Sequence, residues 1–313
     1  MDELDENGYC VIPDVVPAEE CDQYVAEYKN WLSQFDDDDW PSQMHSIIHS
    51  YRIGHFDTTW RARLKTRKVF EEIWQTKKLL TSVDGVAISP PPEEGFNHYA
   101  ADSRWLHLDQ SGARKGLHVY QGALYLESTS ETDYCFRVMK GSNRHCDEFY
   151  ETHEKAKRKG RGVDFYKLTS EQVSWFKARD CDVIKVPVPK GGVIIWDSRT
   201  VHDNVRPEYG RPNTDRWRCV VFTCMGPAKW ASPRDMAVKR KAYKQLQMTS
   251  HWPCQGVRVF ESSCFSLKKV ENIPDKMPEI ACSDDVRRLC GNKAYDFEDE
   301  ESNGPEWEPE WRT

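Results

Sequence analysis

The spacing of His107 and Asp109 is the feature that most constrains how this chain can fold. Both residues lie in the segment 104–110, which reads as extended backbone, so they sit two positions apart on one strand. An imidazole and a carboxylate at that spacing can offer a nitrogen and an oxygen to one metal ion. A third ligand comes from about ninety residues further on, where an apolar strand starting at Gly191 leads through a turn to His202. The three side chains predict a metal site that joins two distant segments.

The chemistry of this ligand set indicates which metal it suits. Two histidines and one carboxylate occupy one face of an octahedron and leave three positions open, as in non-haem Fe(II) oxygenases. Another pair, His45 and His49, has the i, i+4 spacing of a helical metal site, but no third ligand accompanies it in a recognised pattern. We expect that pair to be ordinary surface or core histidines. The same expectation holds for His98, His118, His145, His153 and His251.

Composition and charge narrow the partners and the location. The chain has 313 residues and a net charge of −7, so neither DNA nor an anionic membrane is favoured as a general partner. Its eleven cysteines are odd in number and include no Cys-x-x-Cys pattern, which favours reduced thiols over a disulfide framework. The N-terminus lacks the features of a signal peptide, and no apolar run approaches the roughly 18 residues of a membrane span. We expect a soluble cytoplasmic protein, and the sequence leaves its oligomeric state open.

Hydrophobic periodicity predicts a chain rich in strands, with helices at both ends and in one insertion. Strands are expected at 7–13, 79–88, 117–127, 135–139, 182–187, from 191 towards 202, and at 216–225; helices are expected at 16–32, 69–76 and 233–246. The segment 147–180 reads as a mostly helical insertion, in which Thr169 and the Glu and Gln that follow form a capping pattern. From about residue 270 the chain turns acidic and rich in proline, so this tail either wraps the domain or is partly disordered.

Two arginines and a glutamine place polar groups on strands that are otherwise apolar. Arg216 and Arg218 share one parity, so both are expected to point to the same side of the last core strand. A guanidinium beside an apolar barrel face costs desolvation unless it meets an anion, and its planar fork suits a carboxylate. On the strand 117–127 the same parity rule puts Gln121 and Tyr125 on one face, and we expect Gln121 to project into the cavity.

Taken in order and at their spacings, these motifs resemble those of the phytanoyl-CoA dioxygenase-like family of Fe(II)- and 2-oxoglutarate-dependent oxygenases. The resemblance covers roughly residues 5–230. Asn143 departs from the family pattern, which more often has a histidine at that position. The parts that match are the opening segment 7–20, the His-Leu-Asp of 107–109, the Gly-Ser of 141–142, the Trp-Asp-Ser-Arg-Thr-Val-His of 196–202, and an arginine on the last core strand.

The resemblance implies a role for each candidate residue. The implied ligands of Fe(II) are His107, Asp109 and His202. The open positions would receive 2-oxoglutarate and O2, and an arginine would hold the distal carboxylate of 2-oxoglutarate. Arg218 lies further into the apolar run and is preferred, whereas Arg216 is closer to the usual distance after the distal histidine, so both stay candidates. Gln121 and Tyr125 lie where family members place contacts to the co-substrate.

The fold that the resemblance implies is a double-stranded β-helix, a jelly-roll or cupin-like barrel that is mostly β with flanking helices. Helices would precede the barrel, interrupt it at 147–180 and follow it as a C-terminal extension. We expect residues 1–230 to form the dioxygenase domain with its N-terminal helices. Residues 231–313 would form a helical extension and an acidic tail packed on the same domain.

The implied activity is oxidation of a substrate C–H bond, with hydroxylation as the default and release of succinate and CO2. The substrate would be a small molecule or an acyl-type compound, chosen by the loops around 90–104, 111–118 and 147–180. Asp109 argues against a halogenase, because those enzymes lack the carboxylate ligand. Two alternatives stay open: a catalytically idle binding or scaffold member of the same fold, and a cupin-like metal enzyme that does not use 2-oxoglutarate. An arginine that lines the cavity opposite the metal would argue against the second.

Overall fold

Two β-sheets form the core of the protein. The computed structural model describes residues 1–36, 39–41, 46–94, 105–160, 164–260 and 270–311. The strands are β1 (Tyr9–Ile12), β2 (Ile47–Ile48), β3 (Leu79–Thr81), β4 (Val86–Ser89), β5 (His107–Leu108), β6 (Arg114–Lys115), β7 (Tyr120–Tyr125), β8 (Phe136–Met139), β9 (Tyr166–Lys167), β10 (Val183–Val186), β11 (Val193–Asp197), β12 (His202–Asn204), β13 (Arg218–Pro227) and β14 (Glu310–Trp311).

The order of the strands identifies the architecture. The larger sheet runs β1-β11-β7-β13-β4-β2, and β3 also pairs with β13. The smaller sheet runs β10-β8-β12-β5-β9, and the pairs in both sheets are antiparallel. Each sheet therefore joins strands that are far apart in sequence, as β12 does with β5. This arrangement is a double-stranded β-helix, so the fold predicted from the sequence is confirmed.

Alternating side chains give the larger sheet two buried faces. On β7 and β11, one set points between the sheets and the other set points outward, as expected for a period of two. The outward set packs against the N-terminal helices and includes Leu124 and Ile195. The residues between the sheets include Ala123, Tyr125, Phe136, Val138, Ile194, Trp196 and Val220. Burial on both sides explains why these strands read as nearly continuous apolar runs.

Helices cover the outer faces of both sheets. They are α1 (Asp2–Asn7), α2 (Ala18–Leu32), α3 (Asp57–Lys65), α4 (Arg67–Trp74), α5 (Cys146–Thr152), α6 (Glu154–Gly160), α7 (Ser170–Lys177), α8 (Pro233–Gln245) and α9 (Asp284–Leu289). Three of them occupy the predicted insertion, and α7 begins with a capping box in which Thr169 and Gln172 satisfy each other's main-chain N–H groups. None of the helices in the described ranges combines the length and apolarity that a membrane span requires.

The C-terminal extension wraps back onto the barrel. Its last described strand, β14, pairs with β6, which lies just after the segment that carries Asp109. The guanidinium of Arg114 lies between two indole rings, 3.6 Å from the centroid of Trp252 and 3.4 Å from that of Trp311. Such cation–π contacts hold the end of the chain against the loop after β5. The described part of the tail therefore wraps the domain, while the domain boundary at residue 230 stays a prediction.

The last core strand begins later than the sequence suggested. We expected a strand at 216–225, but β13 covers Arg218–Pro227. Arg216 lies in the preceding turn, where its main-chain N–H donates to the carbonyl of Asn213 at 3.2 Å. The parity rule therefore does not extend to Arg216, and the two arginines point to different surroundings.

The turn before β11 depends on Gly191. This residue has φ of +74°, and a Cβ added there would lie 1.9 Å from the main-chain oxygen of Val16. Gly210 has the same φ of +74°, but no described atom lies within 4 Å of its would-be Cβ. We expect Gly191→Ala to lower the free energy of unfolding by about 3 kcal/mol and Gly210→Ala by about 1 kcal/mol. Urea denaturation measures both, and equal losses would show that the contact with Val16 is unimportant.

Candidate metal centre

The three predicted ligands meet at one end of the barrel. His107 on β5 is the antiparallel partner of His202 on β12, and Asp109 follows β5 directly. Nε2 of His107 is 3.4 Å from Oδ1 of Asp109, and Nε2 of His202 is 3.5 Å from Oδ2. Ligand atoms bound at about 2.1 Å to one octahedral ion lie roughly 3 Å apart at adjacent corners. The two separations from Asp109 are close to this value and all the donor atoms lie within 4.8 Å of one another, so the three side chains converge on one position for a metal ion.

Main-chain carbonyls set the orientation of both imidazoles. Nδ1 of His107 lies 3.1 Å from the carbonyl oxygen of Trp105, and Nδ1 of His202 lies 2.9 Å from that of Thr200. A carbonyl oxygen can only accept, so each Nδ1 carries the proton and donates it. Each Nε2 then keeps its lone pair for a metal, which is the usual arrangement of metal-binding histidines.

The protonation states suit metal binding. Burial would raise the pKa of the Asp109 carboxyl, but the neighbouring His107 and His251 outweigh it and hold this pKa well below its usual value. Burial and the neighbouring His107 lower the pKa of His202. The site therefore offers an ionised carboxylate and a neutral imidazole, the forms that coordinate metals.

Gln121 contacts the ligand set directly. Its Nε2 donates a hydrogen bond to Oδ2 of Asp109 at 3.2 Å, and its side chain lines the same cavity. Gln121 belongs to β7, and its register partner on β11 is Trp196. The structure thus places this residue beside the carboxylate ligand as well as at the cavity wall.

A cavity of about 290 Å³ opens onto the three ligands. Most of its wall is aromatic or aliphatic, and Trp105 stacks on His107 with ring centroids 4.7 Å apart. The other residues that line it are Ile47, His49, Asp84, Gln121, Phe136, Phe165, Trp196, Asp203, Asn204, Arg218, Phe222, His251 and Phe260. An apolar pocket with a few converging polar groups is typical of a small-molecule site.

The structure separates the two candidate arginines. Arg218 lines the cavity, is 5% exposed and lies beside Tyr125 and Tyr134, while burial lowers its pKa. Arg216 donates instead to a carboxylate oxygen of Asp133 at 2.8 Å, in an ion pair outside this cavity. Tyr125 is fully buried behind the wall, next to Arg218.

Several residues that line the cavity were not predicted from the sequence, and four of them form one part of its wall. His49 and His251 were expected to be ordinary histidines, and neither Asp84 nor Phe260 drew attention, yet all four line the cavity. No local spacing marks them, because three distant loops bring them together. Three segments were predicted to choose the substrate. The loop 111–118 contributes no residue to this cavity, and among the described lining residues the other two segments, 90–104 and 147–180, contribute only Phe165. His45, His98 and most of the loop 90–104 lie outside the described residues.

Fold and site together define a class of protein. Two imidazoles and a carboxylate with an open coordination face, inside a double-stranded β-helix, are the elements of a mononuclear non-haem iron oxygenase. The family model for phytanoyl-CoA dioxygenase matches residues 4–204. The chain belongs to this family of Fe(II)- and 2-oxoglutarate-dependent oxygenases, so the resemblance found in the sequence is confirmed.

Two individual proteins illustrate the relationship. Ava biosynthesis cluster protein O of Aspergillus versicolor is 25% identical over 281 residues, which covers 84% of this chain and 88% of that protein. The crystal structure of GlcNAc Inducible Gene 2, GIG2, from Candida albicans superimposes with a TM-score of 0.63 at 13% identity. That match covers 97% of this chain and 78% of the other, and it extends the likeness of fold over nearly the whole sequence.

Proposed function

We propose that this protein is an Fe(II)- and 2-oxoglutarate-dependent dioxygenase that hydroxylates a C–H bond of a small molecule or acyl-type compound. The observation that supports it most is the shared cavity: the three metal ligands and the buried guanidinium of Arg218 line the same space. An iron ion needs the three ligands, and a dicarboxylic co-substrate needs both the iron site and the guanidinium. Family membership supports the same chemistry.

The residues present fit the cofactor and the co-substrate. His107, Asp109 and His202 would hold Fe(II), because they supply neutral nitrogen and anionic oxygen donors on one side and leave the cavity side open. Arg218 would bind the distal carboxylate of 2-oxoglutarate with its planar fork. When bound, Fe(II) and 2-oxoglutarate supply the oxidation of a C–H bond by O2, with release of succinate and CO2.

The other residues of the chain orient and protect this centre. The main-chain carbonyls of Trp105 and Thr200 hold the two histidine rings in the metal-binding tautomer. Gln121 fixes the carboxylate of Asp109 by donating to one of its oxygens. Aromatic walls exclude water, which strengthens every charge interaction in the cavity.

The two alternatives are less well supported. A cupin-like enzyme that does not use 2-oxoglutarate gives no reason to bury Arg218 in the metal cavity. An idle scaffold gives no reason to keep an ionised carboxylate between two oriented imidazoles, because such a group is costly to bury.

Succinate formation tests the proposal. Purified protein with Fe(II), ascorbate and O2 should convert 2-oxoglutarate to succinate, and a metabolite extract that contains the substrate should increase the rate. The His107→Ala variant should form none above background. Failure of the wild-type protein to bind or consume 2-oxoglutarate when fully loaded with iron would contradict the proposal.

Gln121→Ala is expected to weaken Fe(II) binding by roughly 10- to 100-fold, because partners of metal ligands typically contribute that much affinity. The physical cause is loss of the amide that orients Asp109. Competitive titration against a chelator measures the effect. Gln23→Ala is the matched control, since Gln23 is exposed and, among its described contacts, hydrogen-bonds only to Glu27. Equal iron affinity in both variants would remove Gln121 from the site.

A further inference from the structure

A polar cluster lies in the same cavity as the metal ligands but belongs to neither the metal nor the arginine site. His49 follows β2 and Asp84 precedes β4, and the antiparallel pairing of these strands puts the two residues side by side. Nε2 of His49 is 3.5 Å from Oδ1 of Asp84, and both side chains line the cavity.

A loop from the C-terminal part of the chain closes over this pair. Thr249 donates its main-chain N–H to the carbonyl of Val83 at 2.8 Å, which fixes the loop beside Asp84. The ring of Phe260 then stacks on His49 with centroids 4.4 Å apart, and His251 adds a third polar group. These loop residues lie beyond the part of the chain that the family model matches, 4–204. This part of the wall therefore comes from a C-terminal segment outside the matched range.

His251 has an unused hydrogen-bonding atom. Its Nε2 is buried, and no hydrogen-bond partner for it exists within the described ranges. A buried polar atom without a hydrogen-bond partner destabilises the protein. Its side chain lines the same cavity as Asp109. A ligand in the cavity would satisfy this nitrogen.

Asp84 is the acidic member of the cluster. Asp84 is 8% exposed, and its Oδ1 accepts a hydrogen bond of 2.7 Å from the main-chain N–H of Gly85. The nearby Arg63 is directed elsewhere: it donates to the main-chain oxygens of Gly54 at 3.0 Å and of Asp84 at 3.5 Å. Within the described residues no lysine or arginine forms an ion pair with this carboxylate.

The other charges in the cavity have partners of their own. The carboxylate of Asp203 is held by Arg137 through hydrogen bonds of 2.8 and 2.6 Å. Asp109 belongs to the metal ligands, and Arg218 would receive the co-substrate. The polar groups that remain for the primary substrate are the carboxylate of Asp84 and the imidazoles of His49 and His251. The rings of Phe165 and Phe260 line the same cavity.

We propose that His49, Asp84 and His251 form the recognition subsite for the primary substrate, and that it selects a small molecule with a basic nitrogen attached to a flat apolar ring. This inference rests on the proposed dioxygenase function, because it assigns the remaining space to the molecule that is oxidised. The protonated nitrogen donates to Asp84, the ring lies against the aromatic wall, and His251 pairs with a second polar group of the substrate. A carboxylate at the same position is repelled by Asp84.

Three indoles that differ in one charged group test this subsite. Tryptamine, tryptophol and indole-3-acetate carry a cation, a neutral hydroxyl and an anion on the same ring. Binding is measured by calorimetry on full-length protein loaded with Zn(II) in place of Fe(II) and saturated with 2-oxoglutarate, so no turnover occurs. We expect tryptamine to bind roughly tenfold tighter than tryptophol, since a hydrogen bond between two charged groups is stronger than one between a charged and a neutral group. Indole-3-acetate is expected to bind most weakly.

Variants identify the group responsible. Asp84→Asn keeps an acceptor for Gly85 but removes the charge, and it should abolish the preference for tryptamine. Asp22→Asn, at an exposed carboxylate paired with Lys190, should keep the preference. Phe260→Ala should weaken all three indoles alike. Melting curves establish that each variant is folded.

The outcomes separate this proposal from the proposed function. Equal binding of the three indoles, an unchanged preference in Asp84→Asn, or no binding of tryptamine at all would overturn the subsite. Binding of 2-oxoglutarate is titrated first in the same instrument, and its absence would count against the dioxygenase assignment instead. The indole series can then be repeated without 2-oxoglutarate, so the subsite is judged on its own result.

Discussion

Asp109→Ala and His107→Ala are each expected to lower the affinity for Fe(II) by at least about 100-fold and to eliminate turnover of 2-oxoglutarate. The estimate follows because even the loss of a group that only supports a metal ligand typically costs 10- to 100-fold. Removing the carboxylate leaves the two imidazoles, and removing the imidazole of His107 leaves one nitrogen and one oxygen donor. Iron content after equilibrium dialysis and competitive titration measure the loss.

A second carboxylate serves as the matched control for Asp109. Asp133 is 1% exposed and is bound by Arg211 and Arg216, so Asp133→Asn disturbs a buried ion pair away from the metal. It should reduce the free energy of unfolding and leave iron affinity unchanged in the folded protein. If Asp109→Ala retains wild-type affinity for iron, the proposed ligand set is wrong.

Arg218→Ala is expected to raise the dissociation constant of 2-oxoglutarate by about 100-fold, with little change in iron affinity. Truncating one partner of a buried charge pair typically costs 2–5 kcal/mol, and 1.4 kcal/mol corresponds to a factor of ten. Arg218→Lys should recover part of the affinity, since it keeps the charge but loses the planar fork. Titration of 2-oxoglutarate into anaerobic protein loaded with Fe(II) measures each constant.

Arg216 provides the control, because the sequence left both arginines as candidates. Arg216→Ala removes an ion pair with Asp133 and should affect stability while 2-oxoglutarate binds as in the wild type. The opposite pattern would reverse the assignment of the two residues: 2-oxoglutarate would bind more weakly to Arg216→Ala and with unchanged affinity to Arg218→Ala.

The candidate metal ligands could be predicted from the sequence because the pattern that marks them is local. His107 and Asp109 share one short segment, and His202 follows an apolar strand, so residue type and order were enough to identify them. The same local information led to the fold through the resemblance to a family. The position of Arg216 could not be predicted in the same way. The parity rule holds only within a strand, and Arg216 lies in the turn from Asn213, before the strand begins at Arg218.

The part of the cavity wall that contains His49, Asp84 and Phe260 could not be predicted, because tertiary packing creates it. His49, Asp84 and Phe260 come from three separate loops, which the β2–β4 pairing, the hydrogen bond from Thr249 to Val83 and the stacking of Phe260 bring together. For the loop 111–118 the prediction was a part in substrate selection, but none of its residues lines the cavity, and Arg114 anchors it between Trp252 and Trp311. Side-chain partners that far apart in sequence leave no periodic signal.

Anaerobic absorption spectroscopy tests the central claim most directly. Protein loaded with Fe(II) should develop a weak charge-transfer band in the visible region when 2-oxoglutarate is added, because the co-substrate then binds the iron itself. The band should need both components and should be absent in His107→Ala. Iron-replete wild-type protein that binds no 2-oxoglutarate and develops no band would contradict the account.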